Sequence, residues 1–194
     1  MAIGNAVRIR AYRLGDRQTI RDICKDTANP KYANTEKKRE AMCLMFLDYF
    51  LDFEPENCFV AIEGGHPVGY VVCSTDPQKY DREFRERYIP LLMKISFVMM
   101  VFTRICLSTS NRLNKAYNGG LHINVDRSHQ GLKIGPRLLS ALSRHLQKNG
   151  YPYMYLVTQS KKTRGYRFFT HFGFREIGRC PGGSVALAFE TKRI

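Results

Sequence analysis

The chain has 194 residues, 44% of them hydrophobic and 25% charged, which excludes a disordered protein and predicts one packed domain over residues 1–194. Its formal net charge of +14 comes from lysines and arginines spread along the sequence; it attracts polyanions without choosing among them, and it is equally compatible with a basic solvated surface. Six cysteines stand singly without a C-x-x-C pair, so we expect buried thiols in a reducing, cytoplasmic compartment and no metal site.

The first part of the chain predicts a strand, two helices and a hairpin. VRIRAY, residues 7–12, alternates apolar and polar side chains as a half-buried strand does. Asp16 is the predicted N-cap of the first helix, and the apolar spacing over residues 36–52 predicts a second helix. CFVAIEGGHPVGYVVCS, residues 58–74, predicts two antiparallel strands around a glycine turn.

Residues 75–118 differ in composition and predict a helical insertion between strands. Their most apolar part, KISFVMMVFTRICL, is interrupted by charge at Lys94 and Arg104 and is too short to span a bilayer. We therefore expect a helix that is buried or faces a partner, and no membrane among the partners of the protein.

The last part of the chain alternates strands and helices. The predicted order is a strand at 121–125, a helix at 134–146 ended by Gly150, a strand at 153–159, a helix at 163–171 and a hairpin at 174–192. This order predicts an α/β fold whose sheet is mixed, mostly antiparallel, and flanked by helices.

The stretch HINVDRSHQGLKIGPRLLSAL, residues 122–142, contains a strand that runs through a turn into a helix. Backbone N–H groups at such a helix start converge on an anion, and Gly131 and Gly135 allow close approach of a phosphate. Neither the P-loop pattern nor G-x-G-x-x-G is present, so a plain helix-start turn stays open as an alternative.

The same stretch resembles the cofactor loop of the GNAT superfamily of N-acetyltransferases, with the consensus V-x-P-x-x-[RQ]-G-x-G-x-[GA]. The matching positions are Val125, Gln130, Gly131, Ile134 and Gly135. Arg127 replaces the usual proline, and Lys133 replaces the middle glycine. The opening strand and helix, the central hairpin and RFFTHFGFREIGR also resemble this superfamily. Other stretches resemble bacterial acetyltransferases related to the C-terminal domain of O-GlcNAcase.

The resemblance implies a GNAT fold and acetyl-CoA as the cofactor, with its pantetheine along the strand and its pyrophosphate on the loop. The implied cofactor-binding residues are Ile123, Asn124, Val125, Gln130, Gly131, Leu132, Lys133, Ile134, Gly135 and Pro136. Lys133 would place an ammonium beside a phosphate, or it would crowd the loop and weaken binding.

For the general base, His122 is the candidate because its ordinary pKa suits proton transfer near neutral pH. The alternative is a buried histidine with a structural hydrogen bond. Asn124 stands where close relatives have a carboxylate, and Phe169 stands where the family commonly has a tyrosine that serves as acid.

Two functions remain open from the sequence. One is an N-acetyltransferase acting on a primary amine, and the other is an inactive pseudo-acetyltransferase that senses CoA or binds a protein. Nucleic-acid binding is not expected because no zinc finger or RNP motif is present. A homodimer is possible.

Overall fold

The computed structural model describes residues 6–114, 116–117 and 119–193. Its centre is a seven-stranded sheet with the order β1-β2-β3-β4-β5-β7-β6. The strands are β1 Arg8–Ala11, β2 Cys58–Glu63, β3 His66–Ser74, β4 Gly120–Val125, β5 Tyr153–Thr158, β6 Arg175–Arg179 and β7 Val185–Glu190. Neighbouring strands are antiparallel except for β4 and β5, which are parallel. The predicted mixed, mostly antiparallel sheet is confirmed.

Eight α-helices lie in the described part of the chain. They are α1 Arg17–Thr27, α2 Glu36–Phe46, α3 Asp48–Phe53, α4 Pro77–Glu83, α5 Ile89–Ile95, α6 Phe97–Leu113, α7 Ile134–Lys148 and α8 Arg164–Phe172. A π-helical segment, Phe84–Tyr88, joins α4 to α5. The segment between β3 and β4 therefore carries the helices predicted for it. The prediction that residues 1–194 form one domain stays a prediction.

The sheet is covered on both faces, and each face has its own apolar core. On one face, Leu138, Leu142 and Leu146 of α7 are fully buried at helical spacing. On the other face, Tyr49 of α3 and Tyr70 of β3 are fully buried with residues of α1 and α2. Burial of a large side chain on this scale contributes about 1.5–3 kcal/mol each, so the two layers fix the sheet between them.

Asp16 stands at the predicted N-cap position of α1, but its side chain accepts no hydrogen bond from that helix. Asp16 closes a short 3₁₀ turn, and its own backbone is already helical, with φ −83° and ψ −16°. Its carboxylate accepts a hydrogen bond from the backbone N–H of Arg13 at 2.9 Å and forms a two-pronged ion pair with Arg10 at 2.7 Å. The carboxylate therefore ties the end of β1 to the start of α1 and does not cap the helix.

The helix predicted over residues 36–52 is two helices in the structure. The chain leaves the helical region at Leu47, where φ is −137° and ψ is −54°, and α3 begins at the next residue. This break buries the Leu47 side chain completely and directs the Asp48 carboxylate to Arg21 and Arg17. The apolar periodicity of the sequence continues across Leu47, so it does not predict the break.

Candidate functional site

A cleft opens where the two parallel strands β4 and β5 part. One residue pair, Gly120 and Tyr155, holds them together, and the N–H of Tyr155 donates to the carbonyl oxygen of Gly119 at 2.7 Å. A Cβ atom at Gly119 would lie 2.4 Å from the carbonyl oxygen of Tyr153, so only glycine allows this approach. Beyond the pair, no further β4–β5 pairing occurs in the described residues, and the strand edges diverge.

Backbone groups of β4 face this cleft. In an antiparallel ladder, alternate residues bond the neighbouring strand, and the residues between them point to the opposite edge. Asn124 lies opposite Tyr70, and the N–H of Asp126 donates to the carbonyl oxygen of Val68 at 2.9 Å. The N–H and C=O groups of Ile123 and Val125 therefore face the cleft, except that the carbonyl oxygen of Val125 also accepts from the Gln130 side chain at 3.2 Å.

The loop after β4 bends through two left-handed residues before α7 begins. Gly131 has φ 91°, and Lys133 has φ 58° and ψ 21°. Lys133 is the one non-glycine residue with a positive φ in the described part of the chain. These turns expose Gln130, Leu132 and the N-terminus of a 15-residue helix, whose free N–H groups and dipole favour an anion.

The unusual Arg127 has a defined role in fixing this loop. Its Nε donates to the backbone carbonyl oxygen of Asp26 at 2.8 Å, in the last turn of α1. Both ring nitrogens of His129 form hydrogen bonds with carboxylates. Nε2 lies 3.0 Å from the Glu63 carboxylate, and Nδ1 lies 3.4 Å from the Asp126 carboxylate. The Glu63 hydrogen bond is the main reason why the pKa of His129 is raised. Side chains therefore hold the start of the loop in place of the usual proline.

In the structure Gly135 has a role in helix packing, which the sequence did not predict. Gly135 lies in the first turn of α7 with ordinary φ, and a Cβ atom there would come within 2.9 Å of Cζ of Phe168 on α8. Its small size lets α7 and α8 pack closely. Pro136 follows in the same turn, where its lack of an N–H costs no hydrogen bond but also gives an anion no donor. Arg164 of α8 donates to Gln130 at 3.0 Å, so α8 also supports the loop.

His122 lies on β4 beside the cleft and stacks on Phe46 of α2, with ring centroids 5.3 Å apart. Burial lowers the pKa of His122 to about 4, so the ring is neutral at pH 7. Its Nδ1 lies 3.4 Å from the Tyr70 hydroxyl, which also accepts a hydrogen bond from Nδ2 of Asn124 at 2.9 Å. The two β4 side chains that sequence analysis singled out thus meet at one tyrosine, which it had not named.

A cavity of about 130 Å³ lies against His122, between β4, β5 and the inserted helices. Aromatic rings contribute part of its wall. Its neutral polar groups include those of Ser74, Thr103, Ser110, Asn114, His122 and Tyr155. No charged side chain lines it within the described part of the chain.

Two further residues bear on proton transfer. Phe169 packs against Phe168 and Phe174, with centroids 4.9 and 5.4 Å away, and carries no ionisable group. Tyr155 instead places a hydroxyl at the cavity, where it donates to the Asn114 side chain at 2.7 Å. Burial raises the pKa of Tyr155, so the phenol keeps its proton at neutral pH. In the sequence Tyr155 is one apolar position of a strand, and no local signal marked it.

Comparison with known proteins agrees with the fold. The acetyltransferase (GNAT) family matches the chain over residues 20–174. No protein of curated function matches the chain. The crystal structure of a protein called SsHAT is similar with a TM-score of 0.83 and 23% identity, covering 96% of this chain and 98% of that one.

Two other solved structures are similar at lower scores. PH1933 from Pyrococcus horikoshii OT3 has a TM-score of 0.63 and 17% identity, over 95% of this chain and 98% of that one. The putative acetyltransferase yncA from Salmonella typhimurium, solved with its cofactor acetyl-CoA, has a TM-score of 0.57 and 17% identity, over 98% and 96%. The match to the family covers most of the chain, and with the fold it shows that this protein belongs to the GNAT family and is an acetyl-CoA-dependent acetyltransferase.

Proposed function

We propose that the protein transfers the acetyl group of acetyl-CoA to a small primary amine bound in the cavity beside His122. The observation that carries the proposal is the position of His122. It lies on the strand whose free backbone edge faces the cleft, and it lines the cavity on the other side. A donor in the cleft and an acceptor in the cavity would therefore meet next to its ring.

The chain's own groups fit acetyl-CoA, whose thioester supplies the acetyl group. The backbone of Ile123 and Val125 would hold the amides of the pantetheine arm as another strand would. The N–H groups of Gly131 and of residues 133–135 would hold the pyrophosphate at the start of α7. Those of Gln130 and Leu132 already donate to loop carbonyl oxygens at 3.4 Å and would have to turn to the phosphate. Lys133 would add an ammonium beside the phosphates. The Asn124 side chain donates to the Tyr70 hydroxyl, so Asn124 would contribute to cofactor binding only as part of strand β4.

His122 would serve the reaction as an acceptor of a hydrogen bond and a proton. If its Nδ1–H donates to the Tyr70 hydroxyl, the Nε2 lone pair is free for the amine. With a pKa of about 4, His122 is too weak to remove a proton from a free ammonium, whose pKa is about 10. A nitrogen that has begun to bond to carbon is far more acidic, and a weak base suffices for it. The enzyme would therefore select the neutral amine from solution.

The lining of the cavity favours an acceptor with an uncharged body. Aromatic and aliphatic side chains surround it, and its polar groups are neutral. The Glu54 carboxylate lies behind Ser74, where its oxygens accept from the Ser74 hydroxyl at 2.6 Å, the Tyr49 hydroxyl at 2.8 Å and the N–H of Thr75 at 2.7 Å. Because this carboxylate is already satisfied, a second cationic group on the acceptor would lose its water without gaining a partner.

A second candidate is an inactive pseudo-acetyltransferase that binds CoA or a protein. The observations that favour it are the low pKa of His122 and the replacement of a hydroxyl by the ring of Phe169. The Tyr155 hydroxyl lines the cavity and would serve the active enzyme as a donor, which Phe169 cannot, only after giving up its hydrogen bond to the Asn114 side chain. The resemblance to O-GlcNAcase-related acetyltransferases and the cytoplasmic location stay predictions.

The test combines calorimetric titration with acetyl-CoA and turnover of three probe amines. We expect 1:1 binding, turnover of phenethylamine, and at least ten-fold lower kcat/KM for cadaverine, which carries a second cation, and for β-alanine, which carries a carboxylate. His122→Gln should retain binding and lose most turnover. Binding without turnover of any primary amine would support the pseudo-enzyme, and turnover that His122→Gln leaves unchanged would remove His122 from the reaction.

A further inference from the structure

The inserted helices α5 and α6 expose a continuous set of large apolar side chains. We name them the insertion face: Leu91, Met93, Phe97, Val98, Val101, Phe102 and Ile105. Phe97, Val98 and Phe102 are 68%, 75% and 52% exposed. The other large exposed apolar residues of the described chain, such as Leu14 and Tyr32, come from separate elements.

The N-terminal half of α6 is apolar on two sides, and the protein covers only one of them. The inner side buries Met99, Met100 and Thr103 among α2 and α5. The outer side carries the insertion face at positions 97, 98, 101, 102 and 105, which lie on one side of a helix with 3.6 residues per turn. A helix on the surface of a protein without a partner normally has polar residues there.

The charged side chains on α5 and α6 themselves have one sign. Lys94 at the end of α5 and Arg104 on α6 are exposed, and neither forms an ion pair with a described residue. From Arg87 through Val125 the sequence contains no aspartate or glutamate. An apolar surface whose own helices carry cations and no carboxylate is complementary to a partner that is apolar inside and anionic outside.

We propose that the insertion face binds the surface of a membrane that contains anionic lipids. Phe97, Val98 and Phe102 would enter the boundary between headgroups and acyl chains, and Lys94 and Arg104 would remain among the anionic headgroups. The net charge of +14 adds attraction over a longer range. This contact needs no spanning segment, and no helix of the described residues is long and apolar enough to cross a bilayer. It therefore departs from the expectation of no membrane partner, which was drawn from the length of a spanning segment alone.

A second copy of the chain fits this face less well. Pairing two insertion faces would bring Lys94 and Arg104 of each copy together with no carboxylate on α5 or α6 to neutralise them. Each copy would also bring a net charge of +14. A nucleic acid would match the charge but would leave the aromatic and aliphatic side chains in water.

The experiment is sedimentation of the full chain with vesicles of phosphatidylcholine alone or with 30% phosphatidylserine. We expect binding to the mixed vesicles and at least ten-fold weaker binding to the neutral ones. Phe97→Ser with Phe102→Ser should abolish binding. Lys94→Gln with Arg104→Gln should weaken it by roughly five-fold per charge and reduce its salt dependence. The matched control is Leu14→Ser with Tyr32→Ser, which removes two exposed apolar side chains elsewhere and should change nothing.

Two outcomes would overturn the proposal. The first is equal or absent binding to both vesicle types. The second is a dimer by light scattering that becomes a monomer in Phe97→Ser with Phe102→Ser while no variant binds vesicles, since the face would then join two copies. A melting curve for each variant, unchanged because these side chains are exposed, separates lost binding from lost folding. Acetyl-CoA affinity provides a second check that the fold is intact.

Discussion

Replacing Lys133 by glycine tests two effects of this residue: the energetic cost of its left-handed backbone and the contribution of its charge to cofactor binding. Lys133 has φ 58°, and a left-handed conformation costs an L-residue about 1–2 kcal/mol. Glycine removes this cost, but it makes the unfolded chain more flexible, and this lowers the free energy of unfolding by roughly 0.5–1 kcal/mol. We therefore expect Lys133→Gly to raise the free energy of unfolding by about 0.5–1 kcal/mol, measured by urea denaturation without ligand.

The same variant should bind acetyl-CoA more weakly, although it is more stable. Lys133 is exposed, and exposed ion pairs are worth up to about 1 kcal/mol, which corresponds to at most a five-fold change in affinity. Lys133→Gln is the matched control, because it keeps a long side chain in the strained conformation and removes only the charge. Both variants should lose affinity, and only the glycine should gain stability. Tighter binding by Lys133→Gly but not by Lys133→Gln would refute the phosphate contact and show that the lysine side chain crowds the loop.

Three other expectations follow from the packing and the histidines. Gly135→Ala should lower the free energy of unfolding by about 0.5–2 kcal/mol, which is the cost of the clash with Phe168 less the gain of alanine over glycine in a helix. Adding Phe168→Leu should restore part of the loss, and additive losses would contradict a shared contact. The raised pKa of His129 means that its ion pair with Glu63 stabilises the fold fully below about pH 6.5 and less as pH rises through the folded pKa. In His129→Gln the melting temperature should therefore depend less on pH above about 6.5. The lowered pKa of His122 acts in the opposite sense, because stability falls as pH drops from about 6.5 toward 4, and His122→Gln should reduce that loss.

Local patterns were sufficient to predict the hairpin, the loop and the helix that follows it. The turn between β2 and β3 and the run from β4 into α7 depend on residues close together in the chain, such as Gly64, Gly65 and Gly131, each with positive φ in the structure. Departures from the family's consensus were visible too. The sequence marked Arg127 and Lys133 as replacements, but only the fold shows that Arg127 reaches the last turn of α1.

Features that depend on distant contacts could not be read from the sequence. Tyr70 and His122 are 52 residues apart, and their meeting depends on the β3–β4 register. The break at Leu47 follows from what its side chain and its neighbour contact in the core, and periodicity continues through it. The reason for Gly135 is the ring of a residue on another helix. Each of these needed the tertiary structure.

The single residue pair between β4 and β5 also bears on how the molecule unfolds. Strands β1 to β4 form one consecutive part of the chain, and strands β5 to β7 form another. Among the described residues, Gly120 with Tyr155 is the one pair of strand residues that joins them. The two parts are otherwise held mainly by the apolar core under α7. Amide protons along this boundary should exchange by local opening before those that join β2 to β3, which are paired along their length. A ligand that touches both sides of the boundary would slow that opening and couple the two parts into one cooperative unit.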